Sequence, residues 1–300
     1  MTESRLISNP NTEYQKKSHS KTKRVISNVV IYFILILCTV VFIYPIILVL
    51  INSFKKKLYI TDSPFAFPNA ESFNGIENYA EGLSGSGFWT AALNSVIVTV
   101  FSVILILLLT SMAAWYLTRV NTWWSRLIYY AFVFSMLVPF QMVMLPLVGV
   151  ASKLHLDNVF GVIFIYIGYG AGLSTFLYSG FVKTIPTEIE EAAAIDGCSS
   201  IQLFFRIVTP IMKPTTMTVA VLNIMWIWND YLLPSLVLGT NVTDTTLPVA
   251  IQVLNAGRYG DVDIGVLMAM IVLAIIPIIL FYLVGQKYIV RGVTAGAVKG

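Results

Sequence analysis

Long runs of apolar residues constrain the fold of this chain more than any other feature of its sequence. Six runs are long enough to cross a lipid bilayer, near residues 28–51, 91–118, 127–150, 159–182, 215–239 and 264–286. A helix rises about 1.5 Å per residue and the hydrocarbon core is about 30 Å thick, so one crossing takes about 20 apolar residues. The sequence therefore predicts an all-α integral membrane protein with six transmembrane helices.

The composition agrees with a membrane protein and excludes a water-soluble domain. Hydrophobic residues make up 57% of the chain and charged residues 11%, whereas soluble domains contain about 25% charged residues. The two cysteines, Cys38 and Cys198, and the two histidines, His19 and His155, show neither a disulfide framework nor metal-ligand spacing. We expect the lipid bilayer, and no nucleic acid, among the partners of the chain.

Lys and Arg residues are distributed unevenly between the two sides of the predicted bundle. With the N-terminus inside the cell, 14 of them lie in the tail or inner loops and five lie in outer loops. Cytoplasmic loops are enriched in these residues, so both termini are predicted to be cytoplasmic. The basic residues 1–27 are expected to form a disordered cytoplasmic tail, and residues 28–300 a single transmembrane domain. Lys55, Lys56 and Lys57 are the exception, because they fall on the outer side.

The most sequence-specific segment is the inner loop 186–214, between the fourth and fifth apolar runs. Capping-box spacing occurs twice, for Thr187 with Glu190 and for Ser199 with Gln202. These spacings predict two short helices, one near 188–196 and one near 200–209.

Gly197 lies between the two predicted helices, at a bend that requires a positive φ angle. The first helix carries four acidic residues and no Lys or Arg, so anionic lipid headgroups would repel it. Helices of this length are marginal alone in water. We therefore expect the loop to bind a partner protein rather than to lie on the bilayer as an amphipathic connector.

This loop resembles the EAA loop of binding-protein-dependent ABC importers. The family pattern is E-A-A, three residues, Gly, nine residues, Ile, two residues and Pro; Thr209 stands where the family more often has Leu. In such permeases the loop is a coupling helix that fits a cleft on the cytoplasmic ATPase. The resemblance implies the type I ABC importer permease fold and assigns ATPase coupling to Glu190, Glu191, Ala192, Ala193, Asp196, Gly197, Ile207 and Pro210.

Two further segments resemble the smaller membrane subunit of maltose-type sugar importers. The C-terminal tail, residues 292–300, lies between the two ATPase subunits in that family, which implies contacts from Thr294, Gly296 and Lys299. The outer loop near 240–263 corresponds to a loop that reaches into the cleft of the solute-binding protein. This implies contacts from Asn255, Arg258, Tyr259 and Asp261, although a solvated connector is an equally good interpretation of the loop.

The resemblance implies that this chain is one membrane subunit of a bacterial sugar importer in the cytoplasmic membrane. Its expected partners are a second permease, an ATPase dimer, an extracellular solute-binding protein and a sugar or oligosaccharide. The chain has no G-x-x-x-x-G-K-[ST] phosphate-binding loop. We therefore expect that it binds no cofactor and is not an enzyme, with ATP and Mg bound by the partner ATPase.

Polar residues in the fifth apolar run are candidates for the transport path. Asn223, Trp226 and Asp230 are spaced i, i+3 and i+7, which places them on one helical face with Asn229 beside them. An ionisable residue inside a membrane span is by default functional. Trp can lie flat on a sugar ring, while Asn and Asp can bind its hydroxyl groups. Alternatively, Asp230 belongs to a helix cap near the outer interface.

A stand-alone secondary transporter or channel is the main alternative from another functional class. Such a protein requires paired ionisable groups at mid-membrane and usually internal repeats. The spans contain one acidic residue, no basic partner and no obvious repeat. An ABC importer permease for a non-sugar solute is a second alternative, and a membrane enzyme is less favoured than either.

Overall fold

In the computed structural model the chain consists of helices and short connections. The backbone is described for residues 10–84, 87–239, 244–255 and 263–297, and the side chains for 27–84, 87–239, 244–254 and 263–286. A π-helical turn, Phe204–Val208, joins α9 to α10. The helices are α1 (Pro10–Asn52), α2 (Lys57–Asp62), α3 (Gly75–Ser84), α4 (Phe88–Arg119), α5 (Trp123–Leu137), α6 (Phe140–Lys153), α7 (Val159–Val182), α8 (Thr187–Ile195), α9 (Ser200–Leu203), α10 (Thr209–Ile211), α11 (Lys213–Asn229), α12 (Leu232–Val237), α13 (Leu247–Asn255) and α14 (Ile264–Ala297).

The pair α4 and α7 forms the centre of the bundle and is its most extensive helix–helix contact. Ile106 of α4 and Val162 of α7 are fully buried in this interface, and Ile227 and Leu233 from α11 and α12 cover them. On its other side, α7 packs closely on α5. A Cβ atom at Gly172 would lie 2.7 Å from the carbonyl oxygen of Phe132, so the small residue permits this approach.

Four of the six predicted crossings are continuous helices of sufficient length and hydropathy. They are Ser27–Asn52, Phe88–Arg119, Val159–Val182 and Ile264–Gln286. The first belongs to a longer helix, because α1 begins at Pro10. The segment 10–27, which we expected to be disordered, therefore has a helical backbone.

The predicted third crossing, residues 127–150, is wrong as a single helix. It breaks between Leu137 and Phe140, where α5 and α6 meet at an angle of 106°. Pro139 lies at the break, and the preceding Val138 has φ −78° and ψ 115°. Proline lacks an amide hydrogen and disfavours helical geometry in the residue before it, which explains why α5 stops there.

The predicted fifth crossing, residues 215–239, is also wrong as a single helix. α11 ends at Asn229, Asp230 adopts an extended conformation, and α12 begins at Leu232. Before α11, the helical segment Ser200–Ile211 is bent from it by 78°. The described part of the chain therefore contains four helices of membrane length, or up to six crossings if each bent pair is one span.

The helix α1 is the least covered element of the bundle. The most apolar window of its span has no buried residue, and α1 packs mainly on α14. Phe33 and Phe42 are among its exposed aromatic side chains. Exposed apolar surface of this extent requires lipid or another subunit as its environment.

Lys55 occupies a buried position close to the end of α1. Its Nζ donates hydrogen bonds to the carbonyl oxygens of Ser63, at 3.0 Å, and Pro64, at 3.4 Å. Burial lowers the pKa of this ammonium group. Lys55 therefore fixes the connection after α2 and does not contribute to an exposed basic patch.

Candidate functional site

The loop 186–214, which follows α7, is called the elbow loop below. Its helices α8 and α9 confirm the two short helices predicted from the sequence. Gly197 lies between them with φ +82°, a conformation that residues with a side chain rarely adopt. Ser199 and Gln202 form the predicted capping box, with both reciprocal hydrogen bonds.

The other predicted capping box, Thr187 with Glu190, is wrong. Thr187 is already the first residue of α8, which follows Pro186 and has no side-chain cap. The Glu190 carboxylate instead points into the protein. Arg119 donates to its Oε1 from Nε, at 2.9 Å, and from Nη2, at 2.6 Å. Trp115 donates its indole N–H to Oε2 at 3.0 Å, so Glu190 is bound to the last turns of α4.

Trp115, Arg119 and Glu190 form a cluster, called the Arg119 clamp, that is largely shielded from water. The side chains of Arg119 and Glu190 are 19% and 11% exposed. Arg119 also donates from Nη2 to the carbonyl oxygen of Ile185, between α7 and α8, at 2.9 Å. Guanidinium–carboxylate bonds are charge-assisted and directional. The clamp therefore connects α4, the end of α7 and α8.

Apolar packing surrounds the clamp. The ring of Trp115 lies against Phe204, with ring centroids 5.5 Å apart. Ala193 is buried in the same cluster and Ile207 packs partly buried against it, whereas Pro210 is exposed. The other buried members come from α4, α7, the elbow loop and α11: Ala114, Tyr178, Val182, Ile185, Leu203, Val208, Met212 and Val219.

The side of α8 that faces away from the clamp is exposed to solvent. Ile195 is 86% exposed, and Ile201 at the start of α9 is 68% exposed. Glu191, Ala192 and Asp196 are exposed beside them. Uncovered isoleucines suit a binding surface, and the exposed carboxylates of Glu191 and Asp196 exclude hydrocarbon as its cover.

The residues that the resemblance assigned to ATPase coupling therefore divide into two groups. Glu190 and Ala193 are buried within the chain and Ile207 is half-buried, so these residues support the loop from the inside. Glu190 is held from the inside by Arg119 and Trp115, so its ATPase-coupling role stays a prediction that its buried carboxylate could serve only indirectly. The exposed group is Glu191, Ala192, Asp196, Gly197 and Pro210.

A second candidate site lies at the break after α11. Tyr166 donates its hydroxyl to Oδ2 of Asp230 at 2.9 Å. The amides of Leu232 and Leu233 donate to Oδ1 at 2.9 and 3.4 Å. These are the first amides of α12, so Asp230 caps that helix. The hydrogen bonds of the helix cap considered as an alternative for Asp230 are therefore present, while its position at an outer interface stays a prediction.

Trp226 lies beside this pair and presents an aromatic surface. Its ring meets that of Tyr166 edge-to-face, with centroids 5.4 Å apart and an angle of 89° between the ring planes. The Trp226 side chain is 42% exposed. An open indole face next to a carboxylate can stack on a sugar ring and bind its hydroxyl groups.

Three of the four candidate residues of the fifth apolar run point towards the same neighbouring helix, α7. Asn223 donates from Nδ2 to the hydroxyl of Ser174 on α7, at 3.1 Å. Asn223, Trp226 and Asp230 thus all contact side chains of α7. Asn229 differs, because its Nδ2 donates to the carbonyl oxygen of Met225 in its own helix, at 2.6 Å.

The remaining predicted contact residues lie outside the described residues or side chains. Arg258, Tyr259, Asp261 and Lys299 lie outside the described ranges, and Asn255 is described only as backbone at the end of α13. Thr294 and Gly296 belong to the backbone of α14, which continues to Ala297, without described side chains. Their contacts stay predictions.

A protein-family comparison covers both candidate sites. The family model described as the inner membrane component of binding-protein-dependent transport systems matches residues 106–295. The chain belongs to this family. With its several apolar helices, this member of the family is a multi-pass membrane protein, and it is a transport component rather than an enzyme.

Similar proteins of the same family include named sugar permeases. A probable permease protein of a transport system for starch degradation products, from Thermoanaerobacterium thermosulfurigenes, is 41% identical over 267 residues, covering 89% of this chain and 95% of the relative. The permease protein of a multiple sugar-binding transport system from Streptococcus mutans is 33% identical over 271 residues, covering 89% of this chain and 96% of the relative. Both alignments extend over nearly the whole length of the relatives.

A solved structure shows the same fold. One chain of a bacterial ABC transporter that imports the acidic polysaccharide alginate matches with a TM-score of 0.71 and 26% identity. The match covers 90% of this chain and 97% of that chain. The all-helical architecture is therefore that of an ABC importer permease.

Three residues of the two sites, Trp115, Arg119 and Tyr166, are not identified by the sequence patterns. Each has a polar group within or at the end of an apolar run, where a polar group requires a partner. That signal indicates that a partner exists but does not identify it. The partners of all three residues are more than 60 positions away in the chain.

Proposed function

We propose that this chain is one of two permease subunits of a bacterial ABC sugar importer in the cytoplasmic membrane. It crosses the membrane six times, with each bent helix pair as one crossing, and both termini are cytoplasmic. Its partners are a second permease, an ATPase dimer that binds ATP and Mg, and an extracellular solute-binding protein. The chain itself binds no cofactor.

The two-sided elbow loop carries this proposal. One side of α8 is bound to the bundle through Glu190, while the other side exposes Ile195 between two carboxylates, Glu191 and Asp196. An ATPase that docks on the exposed side displaces a loop that is connected to the transmembrane helices. Closure of the ATPase pair then shifts the bundle between its two states, and hydrolysis resets it.

Charge at the ends of the helices supports the proposed orientation. Arg119, Arg126 and Lys183 lie at helix ends next to the elbow loop, which itself contains Arg206 and Lys213. Cytoplasmic loops are enriched in such residues. On the opposite side, Lys55 is buried, so it does not weaken the bias among exposed charges.

The sugar assignment is supported by the relatives and by the second site. The relatives are named for starch degradation products and for multiple sugars. The indole of Trp226 and the carboxylate of Asp230 provide a stacking surface and a hydrogen-bond acceptor near the break after α11. We infer that these two residues, with Asn223 and Asn229, line the transport path. Thr294, Gly296 and Lys299 would contact the ATPase, and Asn255, Arg258, Tyr259 and Asp261 the binding protein.

The decisive experiment is purification of the tagged chain with its partners, followed by ATP-driven uptake of labelled mono- and oligosaccharides in proteoliposomes. Glu191→Lys inverts a charge on the exposed side of α8 and is expected to lower uptake about tenfold or more. Glu77→Lys, at an exposed position of α3, is the matched control and should leave uptake unchanged. Uptake by the chain alone, without an ATPase, would instead establish the secondary-transporter alternative.

The side of the membrane on which the elbow loop lies can be tested separately at Ile195, the most exposed isoleucine of this loop. In a background with Cys38→Ser and Cys198→Ser, Ile195→Cys should react with a membrane-impermeant maleimide only after the cells are permeabilised. Labelling of intact cells would place the elbow loop outside and overturn the proposal.

A further inference from the structure

The elbow loop is attached to α4 by polar contacts as well as by apolar packing. Glu190 and Ala193 face inward, one turn apart, while Glu191 and Ile195 face outward. A partner that pushes on the outward side therefore acts on a helix whose opposite side is bound by Arg119. Glu190 contributes to coupling through this attachment, since its own carboxylate faces away from the docking side.

Apolar packing and directional hydrogen bonds resist different movements of α8 against α4. Apolar packing is non-directional, so buried side chains can slide while they remain buried. The guanidinium fork of Arg119 fixes distance and direction, because Nε and Nη2 both reach Oε1 of Glu190 and Nη2 also reaches the Ile185 carbonyl. Trp115 fixes the second carboxylate oxygen from one turn earlier in α4. Rotation of α8 against α4 would break the three hydrogen bonds to Glu190.

The other end of α4 is also bound by polar contacts. The hydroxyl oxygen of Ser95 accepts a hydrogen bond from the amide of Leu247, at 2.7 Å, and Asn94 donates from Nδ2 to the carbonyl oxygen of Thr245, at 3.1 Å. Leu247 is the first residue of α13, and Thr245 lies two residues before it. From Ser95 to Arg119, an α-helix spans about 36 Å. The helix α4 thus links the elbow loop to the start of α13 on the opposite side of the bundle.

We propose that Arg119 is a positioning residue that makes the elbow loop and α4 move as one body, so that displacement of α8 reaches the start of α13. This inference rests on the proposed function, in which an ATPase docks on the elbow loop. The coupling runs through packed and hydrogen-bonded elements that both ends can bias. Arg119 touches neither ATP nor sugar in this scheme.

The test uses the complete complex in proteoliposomes and measures sugar molecules imported per ATP hydrolysed by assembled complexes. Arg119→Gln and Glu190→Gln should each lower this ratio about fivefold. Because both changes remove the same connection, the double variant should also lose about fivefold rather than about 25-fold. Arg126→Gln, at an exposed position seven residues further along, is the matched control with an unchanged ratio.

Two milder variants keep the test decisive if Arg119→Gln fails to assemble. Trp115→Phe retains the ring that packs on Phe204 and removes only the N–H donor. Ser95→Ala removes the acceptor at the far end of α4. Each should lower the ratio about twofold while the amount of assembled complex stays the same.

The outcomes separate this inference from the proposed function. If the unmodified complex imports no sugar with ATP, the proposed function fails. If the unmodified complex couples but the clamp variants reduce only its yield or thermal stability, with an unchanged import ratio, the clamp is merely structural and the inference is overturned.

Discussion

Glu190 in α8 and Asp230 directly after α11 are two acidic residues that the protein stabilises in different ways. Glu190 is bound by a guanidinium and an indole N–H, and its side chain is 11% exposed. Asp230 accepts one phenolic hydroxyl and two backbone amides, and no Lys or Arg in the described part of the chain pairs with it. The helix α11, which ends next to Asp230, has 17 residues that rise about 26 Å.

The difference relates to what each end of the bundle does in the proposed mechanism. A carboxylate that is neutralised by a partly buried cation is costly to displace, so the elbow end stays rigid. A carboxyl group that is held by neutral donors, as Asp230 is, has no cation among its described partners and is half-buried. Such a group can exchange its phenol partner for a hydroxyl of a passing solute at a smaller cost.

The largest loss of stability is expected when Glu190, the acid that pairs with Arg119, is removed. Glu190→Ala leaves the Arg119 cation partly buried and unpaired, which should destabilise the protein by about 3 kcal/mol. The measurement is the unfolding midpoint of the purified chain in detergent. Glu191→Ala, one residue further on and exposed, is the matched control and should stay within about 0.5 kcal/mol. Equal effects of the two changes would show that the pairing of Glu190 with Arg119 does not stabilise the protein.

A smaller loss of stability is expected from substitutions of Asp230 at the break after α11. Asp230→Ala removes the cap of α12 and the partner of Tyr166, which should cost about 1–2 kcal/mol. Asp230→Asn retains an oxygen that can cap α12, so its cost should be lower by about half. If both variants lose the same stability, the charge of Asp230 rather than its capping geometry stabilises the break, and the contrast with Glu190 disappears.

The smallest effect on stability is expected for Tyr166→Phe. The change retains the edge-to-face contact with Trp226 and removes one hydrogen bond, which should cost about 1 kcal/mol or less. Sugar uptake is the sharper measurement, because Asp230 then loses its phenol partner and the KM for sugar should change. Tyr169→Phe, on the same helix with its ring against Phe140, serves as the control. An unchanged KM in both variants would argue against a sugar site at the break.

The sequence predicts the elbow loop well, because local chemistry determines it. Gly197 and the Ser199–Gln202 capping box specify a bend and a helix start within a few residues, and the structure contains both. The spacing of Asn223, Trp226 and Asp230 likewise places them towards one neighbouring helix. Periodicity is sufficient for Asn223 and Trp226, which lie on α11, whereas Asp230 follows the end of that helix.

Hydropathy alone misses the helix breaks, and the role of Glu190 depends on a distant contact that no local pattern contains. Hydropathy reports how apolar a run is and not whether its axis bends, so the breaks at Pro139 and Asp230 are hidden inside apolar runs. Glu190 has the spacing of a capping-box partner for Thr187. The competing partner, Arg119, lies 71 positions earlier in the chain, and only the packing of α4 against α7 brings the two together.

The π-helical turn Phe204–Val208 determines the direction in which the docking side of the elbow loop points. A π turn contains an extra residue compared with an α-helical turn. One residue corresponds to about 100° of rotation around a helix axis. Deletion of a single residue within Phe204–Val208 would therefore change the azimuth of Ile201 relative to α11 by roughly a quarter of a circle. The length of this five-residue stretch, as much as its chemistry, sets the angle at which a partner can approach.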